Sequence, residues 1–539
     1  MEKILKNKAN ALLLLIVISL FFVLPLFENN FYLSHDGEAQ VARFGAYIKS
    51  FLDNQIPIRW AGDLNYRYGS PALNFYYPLP GLLSIPFHLL GLSLENIFKL
   101  IIIFSFTFSF ISFYLWTKNF LRKEAAFAGA LLYGLSPYHF LNMYVRGDVA
   151  ELLAYAFAPL VFLFIDKTIK ERNILNIILG AIFYALLILS HNFVSLIFSP
   201  ILLFYSLFKS KNFNQFALCL PIFLGGLVIS SFFWLPAIIE SQFVNAKLFI
   251  GDNFKDHFLS VNKLIFSDWG FGPDVNEKGG QSPQIGIIGF IIFIISLIFK
   301  KSRDYKFWVI ILFVSIFLTL STSASIWNSV SLLKLSEFPW RFLGISSFAI
   351  SVIGTIALNE IKNKKIIYLL CLIVFVTSIY YVKIEKIEPK PDSFYFDYKG
   401  TTSFHGETSS IWTAGDFYEV PKNSIEIIGG KGKILQISRK SNIHKFIIEA
   451  VTDTIILDNT VYFPGWRAEI DGRKVPIEFQ DPSNRGLITF KVPSGKHAIS
   501  IIFGESPIRL ASNYLSILGL AFLILVLFLR KKVNKIIRQ

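Results

Sequence analysis

Cysteine is almost missing from this chain of 539 residues. There are two, Cys219 and Cys371, and both sit inside apolar runs. A disulfide framework, a thiolate zinc site and an iron–sulfur cluster therefore have no support. Charge is scarce as well. Asp, Glu, Lys and Arg make up 17% of the residues, against 53% hydrophobic. A soluble protein of this length does not need so much apolar surface. What the chain has in its place is a series of apolar runs, several of roughly 17–25 residues and so long enough to cross a bilayer. The net charge of +15 raises the question of nucleic acid. Its distribution argues against that partner, because the Lys and Arg residues lie in short clusters between apolar runs, as the positive-inside pattern requires.

Lys3, Lys6 and Lys8 precede the first run, at about 10–27, which has no small-residue cleavage site before Phe27-Glu28. It is expected to be a retained helix with its N-terminus in the cytoplasm. Alternation of the later basic clusters gives about twelve spans in a prokaryotic plasma membrane, with both termini cytoplasmic. A short apolar stretch at 79–92 is expected to dip into the outer leaflet without crossing. The expected organisation is a transmembrane domain over 1–382, with a first outer loop at 28–95 carrying interfacial helices. An extracytoplasmic β-rich domain follows over 383–506, then a last span and basic tail over 507–539. In the β-rich block, Lys445-Phe446-Ile447-Ile448-Glu449 and Ala498-Ile499-Ser500-Ile501-Ile502 alternate as strands do. Asp471-Gly472 and Ser494-Gly495 are hairpin dipeptides. Together they point to a β-sandwich. His405, Asp416 and Glu419 there are scattered and fit a solvated surface.

Ionisable residues avoid the middles of the expected spans and gather at their outer ends. Ser34-His35-Asp36-Gly37-Glu38 follows the first span and opens an amphipathic helix in which Val41, Phe44, Ile48 and Phe51 recur at helical spacing. Asp36 can cap that helix, and Arg43, seven residues on, projects along nearly the same face. A capped interfacial helix with an incidental ion pair is the competing reading. Arg146, Asp148 and Glu151 join two spans, where a tight turn with a helix cap would also explain them. His191 closes another span, as a ligand, a base or an ordinary interfacial histidine. Trp269 fits either a sugar-stacking ring or a headgroup anchor. Glu337 and Arg341 precede a late span, and an arginine at that edge can grip a lipid phosphate through two parallel bonds or merely anchor beside Trp340. Charges collected on one face suit a reaction between a lipid-borne substrate and an outside acceptor better than they suit a pump, which carries charge at the midplane.

Several motifs resemble a known family when taken in order. His35-Asp36, Arg59-Trp60-Ala61-Gly62-Asp63, Tyr68-Gly69-Ser70-Pro71 and Phe75-Tyr76-Tyr77-Pro78 come first. Leu135-Ser136-Pro137-Tyr138, Arg146-Gly147-Asp148-Val149-Ala150-Glu151, Ser190-His191-Asn192 and Phe338-Pro339-Trp340-Arg341-Phe342 follow. They look like the bacterial and archaeal membrane proteins labelled 6-pyruvoyl-tetrahydropterin synthase-related. The label implies no pterin chemistry here, since the sequence has no zinc-ligand histidine set. Phe463-Pro464-Gly465-Trp466-Arg467, Asp471-Gly472 and Val492-Pro493-Ser494-Gly495-Lys496-His497 are similar to the C-terminal domain of YfhO-type membrane proteins. Both groups look like relatives of the GT-C glycosyltransferases. That resemblance implies an all-α polytopic membrane fold with an acidic residue in the first outer loop and a donor sugar carried on polyprenyl phosphate. Asp36 matches the acidic position. Many relatives have paired acids there; here Asp36 and Glu38 are two apart and diverge on a helix, which leaves a divalent cation (Mg or Mn), with Asp36 as its ligand, open.

The function this implies is transfer of a glycosyl unit to an extracytoplasmic glycan, lipid or protein. Asp36 would be the general base. Arg341 would hold the lipid phosphate, and Arg43, Arg146, Asp148, Glu151, His191, Trp269 and Glu337 would serve substrate binding. A lipid-linked glycan flippase or exporter, and a non-catalytic surface protein whose β domain binds cell-wall polymer, are the alternatives.

Overall fold

A computed structural model describes residues 7–245, 253–299, 301–403, 406–413 and 417–538. Lys3, Lys6, His405 and Asp416, named above, lie outside the described residues. The main helices are α1 (Lys8–Phe22), α2 (Gly37–Leu52), α3 (Leu79–Leu89), α4 (Leu94–Thr117), α5 (Lys123–Gly134), α6 (Val149–Glu171), α7 (Ile174–Ser190) and α8 (Asn192–Lys209). They continue with α9 (Leu220–Ile229), α10 (Ser231–Glu240), α11 (Ile287–Ser296), α12 (Arg303–Thr319), α13 (Leu343–Glu360), α14 (Lys364–Ser378), α15 (Pro507–Phe528) and α16 (Arg530–Arg538).

Among the described residues six helices have the length and apolar character to cross a membrane, or seven if the bent pair α9–α10 is one span. Hydropathy does not register a break, and two breaks interrupt apolar runs here. Helix α5 stops at Gly134, ahead of Pro137, and the chain goes on into a π-helical turn over Leu141–Arg146. The pair α9–α10 bends by 68° at its junction. Helix α3, with 11 residues, rises only about 16 Å, half the hydrocarbon thickness.

Helix α6 is the axis of the body. Its most apolar window is 100% buried, and that of α13 with the turn before it is 94% buried. Small residues let the helices approach closely: a side chain at Gly129 of α5 would run into Thr355 of α13. The basic ends of the helices meet at one pole. Lys209 pairs with Asp304 at 3.1 Å and Lys364 with Glu124 at 2.8 Å, and Arg122 donates to the Ile361 carbonyl at 2.7 Å. The opposite pole receives the N-termini of α6, α8 and α13, the C-terminus of α7, and α2.

The C-terminal part is a β-sandwich. Strands β1 (Phe31–Tyr32) and β2 (Lys386–Ile387) form a small antiparallel pair that ties the first outer loop to the segment after α14. The sandwich itself comprises β3 (Ile425–Gly429), β4 (Gly432–Arg439), β5 (Ile443–Ala450), β6 (Thr454–Val461), β7 (Trp466–Ile470), β8 (Arg473–Val475), β9 (Leu487–Val492) and β10 (Gly495–Phe503). A five-stranded sheet, β4-β5-β10-β7-β8, faces a three-stranded one, β3-β6-β9. Phe446, Ile448, Ile499 and Ile501 from the first and Ile425, Ile456, Ile488 and Phe490 from the second share one core. Asp471-Gly472 turns β7 into β8 with φ of 48° and 77°, as a hairpin of this type requires.

The sandwich is clamped to the helical body. Trp60 of the first outer loop enters its core, packing edge-on against Trp466 with centroids 5.4 Å apart. Beneath it lies a buried polar joint. Arg509 Nε donates to Glu240 Oε2 at 2.8 Å and Arg509 Nη2 to the Pro464 carbonyl at 2.9 Å, while Asn74 donates to the same Glu240 oxygen at 2.8 Å.

Candidate functional site

At the pole opposite the basic clusters, one turn organises a polar chamber. The π-helical turn ends at Arg146, Gly147 takes the left-handed conformation with φ 67°, and Asp148 caps α6 by accepting the Glu151 backbone N–H at 2.9 Å. A side chain at position 147 would meet Ser34 Oγ at 2.5 Å and Gly37 N at 3.1 Å, so only glycine lets the first outer loop lie against this turn. The loop docks by backbone hydrogen bonds: His35 N–H donates to the Val145 carbonyl at 3.0 Å and Asp36 N–H to the Arg146 carbonyl at 2.8 Å. Main-chain hydrogen bonds thus hold Asp36 against the Arg146–Asp148 turn.

The charges beneath form a paired network. Arg146 Nη2 donates to Asp148 Oδ2 at 2.8 Å, and Arg146 Nη1 donates to Asn142 Oδ1 at 2.6 Å and to Glu151 Oε2 at 2.5 Å. The guanidinium lies 5.0 Å from the centre of the Trp340 ring. Tyr138 donates its hydroxyl to Glu151 Oε1 at 2.5 Å. His191 stands 3.8 Å from Asp148 Oδ2 through Nε2, and its Nδ1 accepts the Val194 N–H at 3.2 Å, capping α8. Tyr77 stacks on the imidazole at 5.0 Å and accepts from Gln40 Nε2 at 2.7 Å. Burial pushes His191 down to about 4, against the pull of Asp148 and Glu151, so the ring is neutral. Burial also works against ionisation of Asp148, but Arg146, His191 and Arg341 outweigh it and hold that carboxyl below its ordinary range.

Asp36 behaves differently. It occupies the N-cap position of α2, yet its side chain makes no capping hydrogen bond. The expectation that its carboxylate caps the helix is corrected: the backbone there is already near-helical (φ −111°, ψ −10°), which turns the side chain away from the first-turn N–H groups. Burial raises its pKa, with Asp148 adding to the rise while Arg146, Arg341 and Arg43 oppose it. Glu38 diverges as expected, pairing with Lys390 at 2.5 Å.

Two arginines flank Asp36 with donors to spare. Arg43 lies 3.7 Å over the Tyr76 ring and donates Nη2 to the Thr402 carbonyl at 2.5 Å. Arg341 Nη1 donates to the Ser336 carbonyl at 2.8 Å and, more weakly, to Glu337 at 3.4 Å. The Nε atoms of both are buried without a hydrogen-bond partner among the described residues. Burial raises the Glu337 pKa, and the nearby Arg341 opposes it. Asp36, Arg43, Arg146, Asp148, Glu151, His191, Glu337 and Arg341 therefore converge. Trp269 stands apart, buried against Tyr381 with centroids 5.1 Å apart. Sequence reasoning missed Gln40, Tyr76, Tyr77 and Tyr138 as parts of the chamber. The Tyr-rich stretch from Tyr66 to Pro78 was the one signal for the two central tyrosines.

Fold and site together define a polytopic helical membrane protein with a C-terminal β-sandwich, a final apolar helix and a charged chamber at one pole. The family model described as the 6-pyruvoyl-tetrahydropterin synthase related domain of membrane proteins matches residues 73–385, more than half of the chain, and the chain belongs to that family. An uncharacterized protein of Lactococcus lactis subsp. cremoris (strain MG1363) is 23% identical over 369 residues, covering 63% of this chain and 56% of its own length. Among solved structures, arabinofuranosyltransferase AftD from mycobacteria aligns over 71% of this chain and 28% of its own, with a TM-score of 0.47 and 13% identity. A mutant form of AftD aligns over 74% and 28%, with a TM-score of 0.43 and 14% identity. The chain thus spans less than two thirds of each of these proteins.

Proposed function

We propose that the chain is a membrane glycosyltransferase that moves a sugar from a polyprenyl-phosphate carrier to an extracytoplasmic acceptor, a glycan, lipid or protein. The observation that carries this reading is Asp36, a carboxylate at a helix N-cap that does no capping and stands among Arg43, Arg146 and Arg341. A carboxyl whose pKa is raised lies nearer the pH at which it must work as a base. In this reading Asp36 takes the proton of the acceptor hydroxyl. The acceptor oxygen forms its bond to the anomeric carbon as the bond from that carbon to the phosphate oxygen breaks. The electron pair leaves on the polyprenyl phosphate, whose added charge meets the spare donors of Arg341 and Arg43. The chamber lies at the pole away from the basic clusters, and the positive-inside rule supports an outside position for it. Purified protein in lipid nanodiscs, offered a panel of polyprenyl-phosphate sugars with sugar or lipid acceptors, is expected to release free polyprenyl phosphate from one of them. No release from any donor, by protein shown to be folded, contradicts the reading.

A further inference from the structure

Asp148, Glu151 and His191 have the composition of a three-ligand metal centre. One carboxylate oxygen of each acid and one imidazole nitrogen lie within 4.8 Å of one another, and all three residues are buried. The glycosyltransferase resemblance raises a divalent cation for this protein, and a cation's first requirement is free lone pairs aimed at one point. The donor set meets it poorly. Asp148 Oδ2 accepts from Arg146 and Asp148 Oδ1 from the Glu151 N–H; Glu151 Oε2 accepts from Arg146 and Glu151 Oε1 from Tyr138. Each of the four oxygens already accepts a hydrogen bond, and one oxygen of each acid accepts it from the Arg146 guanidinium, so a cation would have to use the remaining lone pairs beside that fixed positive charge. His191 offers no better. Its Nδ1 lone pair is taken by the Val194 N–H, so the neutral ring carries its proton on Nε2, the nitrogen turned toward Asp148. A protonated ring nitrogen has no lone pair to give. A dication in the trio would also press against a buried guanidinium, where little solvent screens the repulsion.

We infer that this trio takes no divalent cation and that the Arg146 guanidinium is the built-in cation of the site. An arginine keeps its charge at every physiological pH, so the positive charge that faces Asp148 and Glu151 depends neither on free metal nor on pH. Arg146 is a positioning residue in this arrangement. Its side chain fixes both acids, and its carbonyl receives the Asp36 N–H, so order in the ion pairs passes directly into the loop that carries Asp36. Only that last consequence rests on the glycosyltransferase reading; the absence of a metal at the trio stands on the hydrogen bonds and the buried guanidinium.

The test uses the full chain, stripped with chelator and titrated with Mn2+, followed by electron paramagnetic resonance and by thermal unfolding. The expected result is no stoichiometric Mn2+ and an unfolding midpoint unmoved by chelator or by Mn2+. One Mn2+ per chain that persists in both Asp148→Asn and Glu151→Gln sits elsewhere and supports the inference. One Mn2+ per chain that is lost in both variants overturns it. Should either variant fail to fold, anomalous scattering from a Mn2+-soaked wild-type crystal locates the ion directly: a peak within ligand distance of Asp148 and Glu151 overturns the inference, and a peak elsewhere or none supports it. None of these readouts needs a substrate. A protein that binds no Mn2+ and transfers no sugar would contradict the proposed function and leave this inference intact.

Discussion

Arg146→Met removes the charge from the centre of the ion-pair network and keeps most of the aliphatic stem. The magnitude follows from burial. Glu151 is 0% exposed, Asp148 2% and Arg146 3%, so the surface figure of about 0–1 kcal/mol for an ion pair does not apply. Breaking a buried pair by deleting one partner costs about 3–5 kcal/mol, because the surviving charges are left without compensation. Here two carboxylates lose their nearest cation, and the cation–π contact with Trp340, worth about 1 kcal/mol, goes too. These terms overlap, so the expected loss is about 4 kcal/mol or more. Thermal unfolding in a mild detergent reads it as a clear drop in midpoint. Arg146→Lys should fall in between, since an ammonium keeps the charge but cannot fork to both acids. Adding Asp148→Asn and Glu151→Gln to Arg146→Met should recover part of the loss, because the amides leave no buried charge unpaired. Arg146→Met within about 1 kcal/mol of wild type, the value of an exposed pair, would refute the reasoning.

If Arg341 grips the lipid phosphate, Arg341→Ala should weaken binding of a polyprenyl-phosphate analogue by about 10-fold or more, since charge-assisted bonds contribute about 1.5–3 kcal/mol. Arg341→Lys should be impaired as well, and unchanged affinity in both variants would return Arg341 to an anchoring role. The raised pKa of Asp36 sets the acidic limb of the rate–pH profile: transfer should fall as pH drops through a value above the usual 3.9 or so, and a limb at or below that value contradicts the assignment. Because folding raises this pKa, the stability contributed by Asp36 is complete below its unfolded value and is lost as pH rises through its folded one, opposite to the rate. Topology is tested by cysteine labelling of intact cells. Lys474→Cys, exposed on the sandwich, should label from outside and Lys301→Cys should not; the reverse pattern would invert the orientation.

Much of this architecture was legible in the sequence, because hydropathy and alternation report local periodicity. The residues expected as strands lie in β5 and β10, and the two hairpin dipeptides are the β7–β8 and β9–β10 turns. The clustering of ionisable groups at span ends anticipated that Asp36, Arg146, Glu151, His191 and Arg341 would meet. Partnerships were not legible. That Arg146 serves Asp148 and Glu151 together depends on the π-helical turn over Leu141–Arg146, which rotates the guanidinium under α6 and has no sequence signature. That Asp36 does not cap α2 depends on its backbone angles. The pairing of Tyr138 with Glu151 joins residues 13 apart across that same turn. Trp269 was judged by its residue type, and its neighbour Tyr381 lies more than a hundred positions away.

The decisive measurement is the transfer rate of Asp36→Asn. Asparagine preserves the shape, the Asp36 side chain makes no capping bond, and burial disfavours its ionised form, so the variant should unfold no lower than wild type. A general base contributes about 10²–10⁴-fold. Release of polyprenyl phosphate by Asp36→Asn in nanodiscs should therefore fall by about that factor, while Glu38→Gln, which touches the part-buried pair with Lys390 and the contact with Tyr398, stays near wild type. Near-normal release by a folded Asp36→Asn would contradict the assignment of Asp36 as the base.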